Sequence, residues 1–257
     1  MVDSREDIHS FLDQKYLSFN QPVFIVTDPI QVPALFTTKE NIEIAGFLAA
    51  TLAWGQRPTI IRNALGIVRR MDNNPLEFLL NTKEEEWIRF TDFKHRTFNG
   101  IDCQYFMKSL RNIYLNHGGL ECIFTDGFQK DHTIFSALVH FRKVFFELDH
   151  ERRTEKHVSD VVKGAAAKRL NMFLRWMIRS DQLGVDFGLW KQIPSSALML
   201  PLDVHTGNVA RKLGLLTRMQ NDWRAVEEIT QRLREFDPED PIKYDFALFG
   251  LGVFEKF

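Results

Sequence analysis

Apolar residues recur at helical spacing through most of this 257-residue chain, and the alternation that a half-buried strand requires is scarce. Amphipathic stretches run from about Asp102 to His117, His132 to Leu148, Ala165 to Arg179, Val204 to Leu215, Asp222 to Phe236 and Asp240 to Phe249. Thr37-Thr-Lys-Glu40 reads as a capping box before the apolar run Ile42 to Trp54. Pro58 and Pro75 each follow a polar break, where first-turn prolines belong. Pro22 to Phe36 is the one sizeable β-branched segment, and its three prolines make it a traversing loop. Asp149 to Asp160 reads as a polar loop between helices. The expected fold class is therefore all-α, without internal repeats or long linkers.

With 44% hydrophobic residues, 23 Phe and 5 Trp, the chain can bury a substantial core as one globular unit or two lobes. No apolar run approaches the ~20 residues that span a bilayer, and Met-Val-Asp-Ser-Arg-Glu-Asp at the start lacks the regions of a signal peptide. A cytoplasmic protein is expected. Cys103 and Cys122 are too few for a cysteine-ligated zinc site or cluster, and both read as reduced thiols.

Charge is unevenly placed. From Lys163 through Arg218 nine Lys/Arg face three Asp (Asp181, Asp186 and Asp203), in a chain whose net charge is −1. That asymmetry fits a polyanion approaching one face. Asp203 precedes the helical run from Val204. As a cap alone it contributes about 1 kcal/mol. A capping carboxylate is also rigidly aimed, as stabilising a cation or accepting an amine's proton requires.

Upstream, Lys163-Gly-Ala-Ala-Ala-Lys-Arg-Leu-Asn-Met-Phe-Leu-Arg-Trp-Met-Ile-Arg179 reads as a tight entry at Gly164 into a helix whose first-turn amides can hold a phosphate oxygen. Lys168, Met172, Arg175 and Arg179 share one face of it by spacing, with Leu170, Phe173, Leu174 and Met177 on the other. The basic face serves equally as a solvated surface or as a phosphate contact.

These segments carry a resemblance. Leu200-Pro-Leu-Asp-Val-His-Thr-Gly-Asn-Val-Ala-Arg-Lys-Leu-Gly-Leu215 resembles the part of helix-hairpin-helix DNA glycosylases in which a Val/Leu-Asp-x-His run supplies the catalytic Asp. Gly164-Ala-Ala-Ala-Lys-Arg-Leu-Asn-Met-Phe-Leu174 is similar to their hairpin-helix, with Lys168 on the Schiff-base lysine and Ala166 where the second hairpin glycine stands. Lys168 and Asp203 are 35 positions apart, closer to the spacing of the archaeal 8-oxoguanine glycosylases than to that common in the superfamily. Leu52-Ala-Trp-Gly-Gln-Arg-Pro-Thr-Ile-Ile-Arg62 resembles the turn that enters the DNA stack, which puts Gln56 or Arg57 in the wedge place. Tyr244-Asp-Phe-Ala-Leu-Phe-Gly-Leu-Gly252 resembles the last helix before the superfamily's cluster cysteines, and since the chain stops five residues later no iron-sulfur cluster is expected. The whole pattern also resembles a bacterial family known only as a domain of unknown function.

The resemblance implies two helical lobes with DNA held across a cleft: a central bundle over 39–179, and a second lobe from 1–38 with 190–257. It implies a DNA-repair glycosylase, with possible strand scission, that flips a damaged base from duplex DNA. Lys168 would be the nucleophile and Asp203 the catalytic carboxylate. Gly164, Arg169, Arg175, Arg179, Gln56, Arg57, Arg62 and Arg211 would contact DNA, and Trp190 and Trp54 would line the base pocket. No cofactor, metal or membrane partner is implied, and a monomer is expected. His205, two residues after Asp203, has no third ligand at metal spacing. The alternative is a non-enzymatic nucleic-acid-binding protein that keeps this fold.

Overall fold

The computed structural model describes residues 5–181 and 183–257. The protein is mostly helical, as the periodicity predicts. In chain order the helices are α1 (Arg5–Phe19), α2 (Val23–Thr27), α3 (Lys39–Leu52), α4 (Arg57–Arg70), α5 (Pro75–Asn81), α6 (Gly100–Asn116), α7 (Leu120–Phe128), α8 (Ile134–Phe145), α9 (Lys168–Ile178), α10 (Val204–Lys212), α11 (Trp223–Arg234) and α12 (Tyr244–Gly250). One antiparallel hairpin pairs β1 (Lys94–His95) with β2 (Phe98–Asn99), in the register Lys94 with Asn99 and His95 with Phe98.

Three local expectations are corrected. Helix α3 is capped by Thr38, with no side-chain cap bond, so Glu40 falls one position too early to close a capping box. Pro22 to Phe36 is not a plain loop. It holds α2 and two 3₁₀ turns, Pro29–Gln31 and Pro33–Leu35; Pro29 and Pro33 take first-turn positions, and Asp28 accepts from the Ile30 amide at 3.1 Å. Inside 149–160, Arg152–His157 forms a 3₁₀ turn that buries Thr154 and His157.

The chain forms two compact units, one from Ile25–Ser159 and the other from Met1–Phe24 with Asp160–Phe257. In the first, Phe47, Phe106, Phe124, Phe141 and Phe145 pack ring against ring at 4.4–5.8 Å between centroids. Each such ring contributes about 1.5–3 kcal/mol by leaving water. Helices α7 and α8 approach so closely that a Cβ on Gly127 would stand 2.8 Å from the Ala137 Cα. Only glycine fits there.

In the second unit the N-terminal α1 packs along α12, and α10 packs against the same short helix. Trp176, Trp190, Tyr244 and Phe246 fill its core. The division corrects the expected boundary at residue 179, since α9 belongs with the terminal segments. Its arginines bind carboxylates of that unit, a pairing that periodicity cannot reveal.

Candidate active site

The entry to α9 is a tight turn built on Asp160. Its side chain accepts from the Val162 amide at 3.2 Å, and its carbonyl accepts from the Ala165 amide at 3.1 Å. Gly164, at φ +85°, makes the reversal, and its carbonyl accepts from the Trp223 amide at 2.9 Å, which ties the turn to the start of α11. Ala167 then takes the left-handed conformation, φ 50° and ψ 33°, as the cap of α9. A non-glycine residue there costs roughly 1–2 kcal/mol. Asn171 compensates by donating its side chain to the Ala166 carbonyl at 3.2 Å.

Lys168 is consequently the first residue of α9, half-buried, with its Nζ 3.4 Å from the Met172 sulfur. Asp203 caps α10, accepting from the Thr206 amide at 2.9 Å. Asn221 steadies the cap by donating to the Asp203 carbonyl at 3.1 Å.

Both groups act on a third one that the sequence reading passed over. Asp245, in the first turn of α12, is buried and accepts a hydrogen bond from Arg175 Nη1. Burial pushes its carboxyl up to about 6; Arg175 opposes the rise, Asp203 adds to it and Lys168 opposes it. Lys168 and Asp203, 35 positions apart, therefore stand within electrostatic reach of one buried carboxyl. Packing agrees. A Cβ on Gly252, just past α12, would stand 3.2 Å from the Cβ of His205 in the first turn of α10.

The basic stripe is corrected. Its four residues do share a face, but Arg175 and Arg179 are 4% and 0% exposed and point into the unit rather than to solvent. Arg175 Nε donates to Asp186 at 3.2 Å, and its guanidinium lies 4.3 Å from the Phe246 ring centre. Arg179 donates to Asp181 at 2.5 Å, to Asp186 and Asp240 at 3.0 Å, and to the Tyr16 hydroxyl at 2.9 Å. Burial would lower the Arg179 guanidinium, but Asp186 and Asp240 push it above its ordinary value. Burial likewise raises the carboxyl of Asp186 despite both arginines. Two cations with buried carboxylate partners are structural ties, not phosphate contacts.

Trp190 is corrected as well. It is 1% exposed and packs edge-on against Phe173 at 5.5 Å, so it is core rather than a stacking platform. Arg169 is half-buried beside Lys168. Arg211 donates to the Arg218 carbonyl at 2.9 Å and to Asn221 at 2.6 Å, supporting the loop that steadies Asp203.

The remaining candidates belong to the other unit. Gln56, at the start of α4, and Arg62 are exposed, and Arg57 is half-buried. Trp54 is half-buried under the Arg96 guanidinium, 4.7 Å from its ring centre, with His95 edge-on at 5.9 Å.

His205 is exposed, and among the described residues no group of three His, Cys, Asp or Glu could hold a metal ion. Among those residues no helix is long and apolar enough to cross a membrane. Cys103 is buried and Cys122 exposed, both as free thiols.

Asp245 and its neighbours were missed for one reason: their partners lie far away in sequence. A signal was nevertheless present, because a lone Asp inside the apolar run Tyr244 to Leu248 has to be paired once that run is buried.

No curated protein and no solved structure matches the chain. A family model matches residues 28–254, which takes in the turn at Gly164, Lys168, Asp203 and Asp245. The chain belongs to the family described as protein of unknown function (DUF2400).

Proposed function

We propose that the protein is a DNA-repair glycosylase with a lysine nucleophile, acting on a damaged nucleotide flipped out of its duplex. The observation that carries this reading is that Lys168, the first residue of α9, and Asp203, the cap of α10, belong to the same unit and both lie within electrostatic reach of the buried carboxyl of Asp245. A primary amine and a carboxylate that meet on one sugar suit displacement at its anomeric carbon. Lys168 Nζ, as the free amine, attacks C1′, the C1′–N bond breaks, and the base departs with the bond's electron pair and takes up a proton. Asp203 stabilises the positive charge that develops on the sugar and accepts the proton released by the amine. Opening of the sugar then leaves a Schiff base, from which strand scission can follow.

A binding module without chemistry would need the basic stripe at its surface, and two of the stripe's cations are buried. That burial favours the enzymatic reading.

The test is reductive trapping with borohydride on duplexes carrying an abasic site or an oxidised purine. Wild-type protein forms a covalent complex and Lys168→Ala forms none. Asp203→Asn slows base release about 10²–10³-fold, the usual effect of removing one group that stabilises transition-state charge. Absence of trapping and of base release across a panel of lesions overturns the proposal.

A further inference from the structure

With Arg175 and Arg179 buried, the cations that a nucleic acid would meet have to lie elsewhere, and the first unit gathers a set of them. From Ala53 to Asn63 and again from Lys94 to Asn99 the chain carries Arg57, Arg62, Lys94 and Arg96 and no Asp or Glu. Four other arginines of this unit answer carboxylates: Arg70 pairs with Asp92, Arg89 with Asp72, Arg142 with Glu155 and Arg153 with Asp102. Arg62, Lys94 and Arg96 are exposed, and their side chains make no hydrogen bond or ion pair within the described residues.

The fold brings the two segments together through a buried clasp. His95, 2% exposed, accepts at Nδ1 from the Asn63 side chain at 2.9 Å and donates from Nε2 to the Trp54 carbonyl at 3.2 Å. Successive side chains of a strand point to opposite faces, so with His95 turned inward Lys94 and Arg96 stand on the outer face. Arg96 occupies the turn between β1 and β2 at φ 56°, a left-handed position that Asn or Gly ordinarily fills. Its guanidinium lies 4.7 Å from the Trp54 ring centre, and a Cβ on Gly55 would stand 3.0 Å from its Nη1. Arg153 braces the same turn by donating to the Thr97 carbonyl at 3.0 Å.

We propose that the β1–β2 hairpin is a phosphate-binding element for duplex DNA, in which Lys94 and Arg96, with Arg62 next to the Asn63 clasp, contact the backbone without reading sequence. This rests on taking DNA as the partner. It goes beyond the resemblance, which assigns contacts to the 52–62 segment and none to the hairpin. Two physical arguments support it. A phosphate that meets these three cations breaks no internal ion pair, whereas one that meets Arg70 or Arg89 does. A guanidinium already held over Trp54 also gives up less side-chain freedom on binding than a free one.

The test is fluorescence anisotropy of a fluorescein-labelled duplex of about 20 base pairs, titrated with full-length protein from about 0.05 to 0.5 M KCl. Each phosphate contact contributes about 0.9 to the slope of log affinity against log salt, so Lys94→Ala combined with Arg96→Ala lowers the slope by about 1.8 and weakens binding on the order of 50-fold at about 0.1 M salt. The loss is alike for unrelated sequences, because phosphate contacts carry no sequence information. Lys94→Arg and Arg96→Lys keep the slope. Because Arg96→Ala also uncovers Trp54, Lys94→Glu is the second variant: its far-UV circular dichroism matches wild type, and its slope falls by about 0.9 or more.

Wild-type slope and affinity in Lys94→Glu and in the double variant overturn the proposal, as does a wild-type protein with no affinity for the duplex. If the variants lose binding as stated while wild-type protein traps no DNA, the hairpin's role stands and the glycosylase reading fails. If wild type traps DNA and the variants bind as it does, the hairpin's role alone fails.

Discussion

Asp102 and Asp245 are both buried carboxylates in the first turn of a helix, one in each unit, yet their surroundings drive them in opposite directions. Burial alone would raise both. Asp102 answers with partners on every side: the Asn99 amide at 2.9 Å, the Thr154 hydroxyl at 2.9 Å, Arg153 Nη1 at 2.7 Å and His157 Nε2 at 3.2 Å. They hold it at about 2, against an ordinary 3.8. Among the described residues Asp245 accepts from Arg175, which it shares with Asp186; burial, with the charge of Asp203 adding to it, pushes it up to about 6. Both are buried, and among the described residues Asp102 has four donors where Asp245 has one. A fully satisfied buried carboxylate is a structural tie, whereas an under-satisfied one retains a titration near neutrality, the condition a functional site needs.

The largest effect expected from this contrast comes from removing a shared cation. Arg179→Ala leaves Asp181, Asp186 and Asp240 without their common donor, and breaking a buried pair in this way costs about 3–5 kcal/mol. Denaturant unfolding, with hydrogen exchange read at α9 and α12, should show the loss in the second unit and leave α6 to α8 protected. A cost under about 1 kcal/mol would mean that the arginine is a surface cation after all and would restore it as a phosphate contact.

A smaller pair of effects separates the two carboxylates by pH. The folded value of Asp102 lies below its unfolded value, so its contribution is present above 3.8 and is lost as pH falls toward about 2. At 1.36 kcal/mol per unit that is about 2 kcal/mol, which Asp102→Asn should lose at pH 7 and not at pH 2. Asp245 has the opposite sign. Its folded value is raised, so ionising it opposes folding as pH climbs from 3.8 through about 6, by on the order of 2–3 kcal/mol. Asp245→Asn should therefore gain on the wild type across that window, and it should fold at pH 7. Parallel stability profiles for the two Asn variants would break the comparison.

The periodicity made the helices legible, although α3 over 42–52 and α9 over 170–178 are buried on every side. The cap at Asp203 was readable too, since the residues that satisfy a helix start are its own neighbours in sequence. The charge network was not. Arg175 and Arg179 sit where a solvated stripe would sit, and nothing local distinguishes a guanidinium facing water from one facing Asp240 or Asp245, more than 60 positions away. Trp190 was expected in a base pocket for the same lack of a local signal, while its ring packs on Phe173. The interior register of α9 depends on its partners, and a single helix does not carry them.

The smallest expected effect concerns Asp203, which like Asp102 stands at a helix start and shares its unit with Asp245. As a cap it accepts one amide hydrogen bond at 2.9 Å, and Asp203→Ala should cost about 1 kcal/mol. Asp203→Asn retains an oxygen for the Thr206 amide, and Asn caps about as well as Asp. It forfeits the favourable interaction of a negative charge with the helix start, about 0.3–1 kcal/mol, but it also relieves the repulsion of Asp245. These terms oppose each other, so the stability of Asp203→Asn should lie within about 0.5 kcal/mol of wild type in urea unfolding at pH 7. A loss as large as that of Asp203→Ala would show that the charge of Asp203 supports the fold in the way Asp102 does. A loss near zero, with base release reduced, would set Asp203 apart from Asp102, as a carboxylate kept for what it does to Lys168 rather than for what it does for α10.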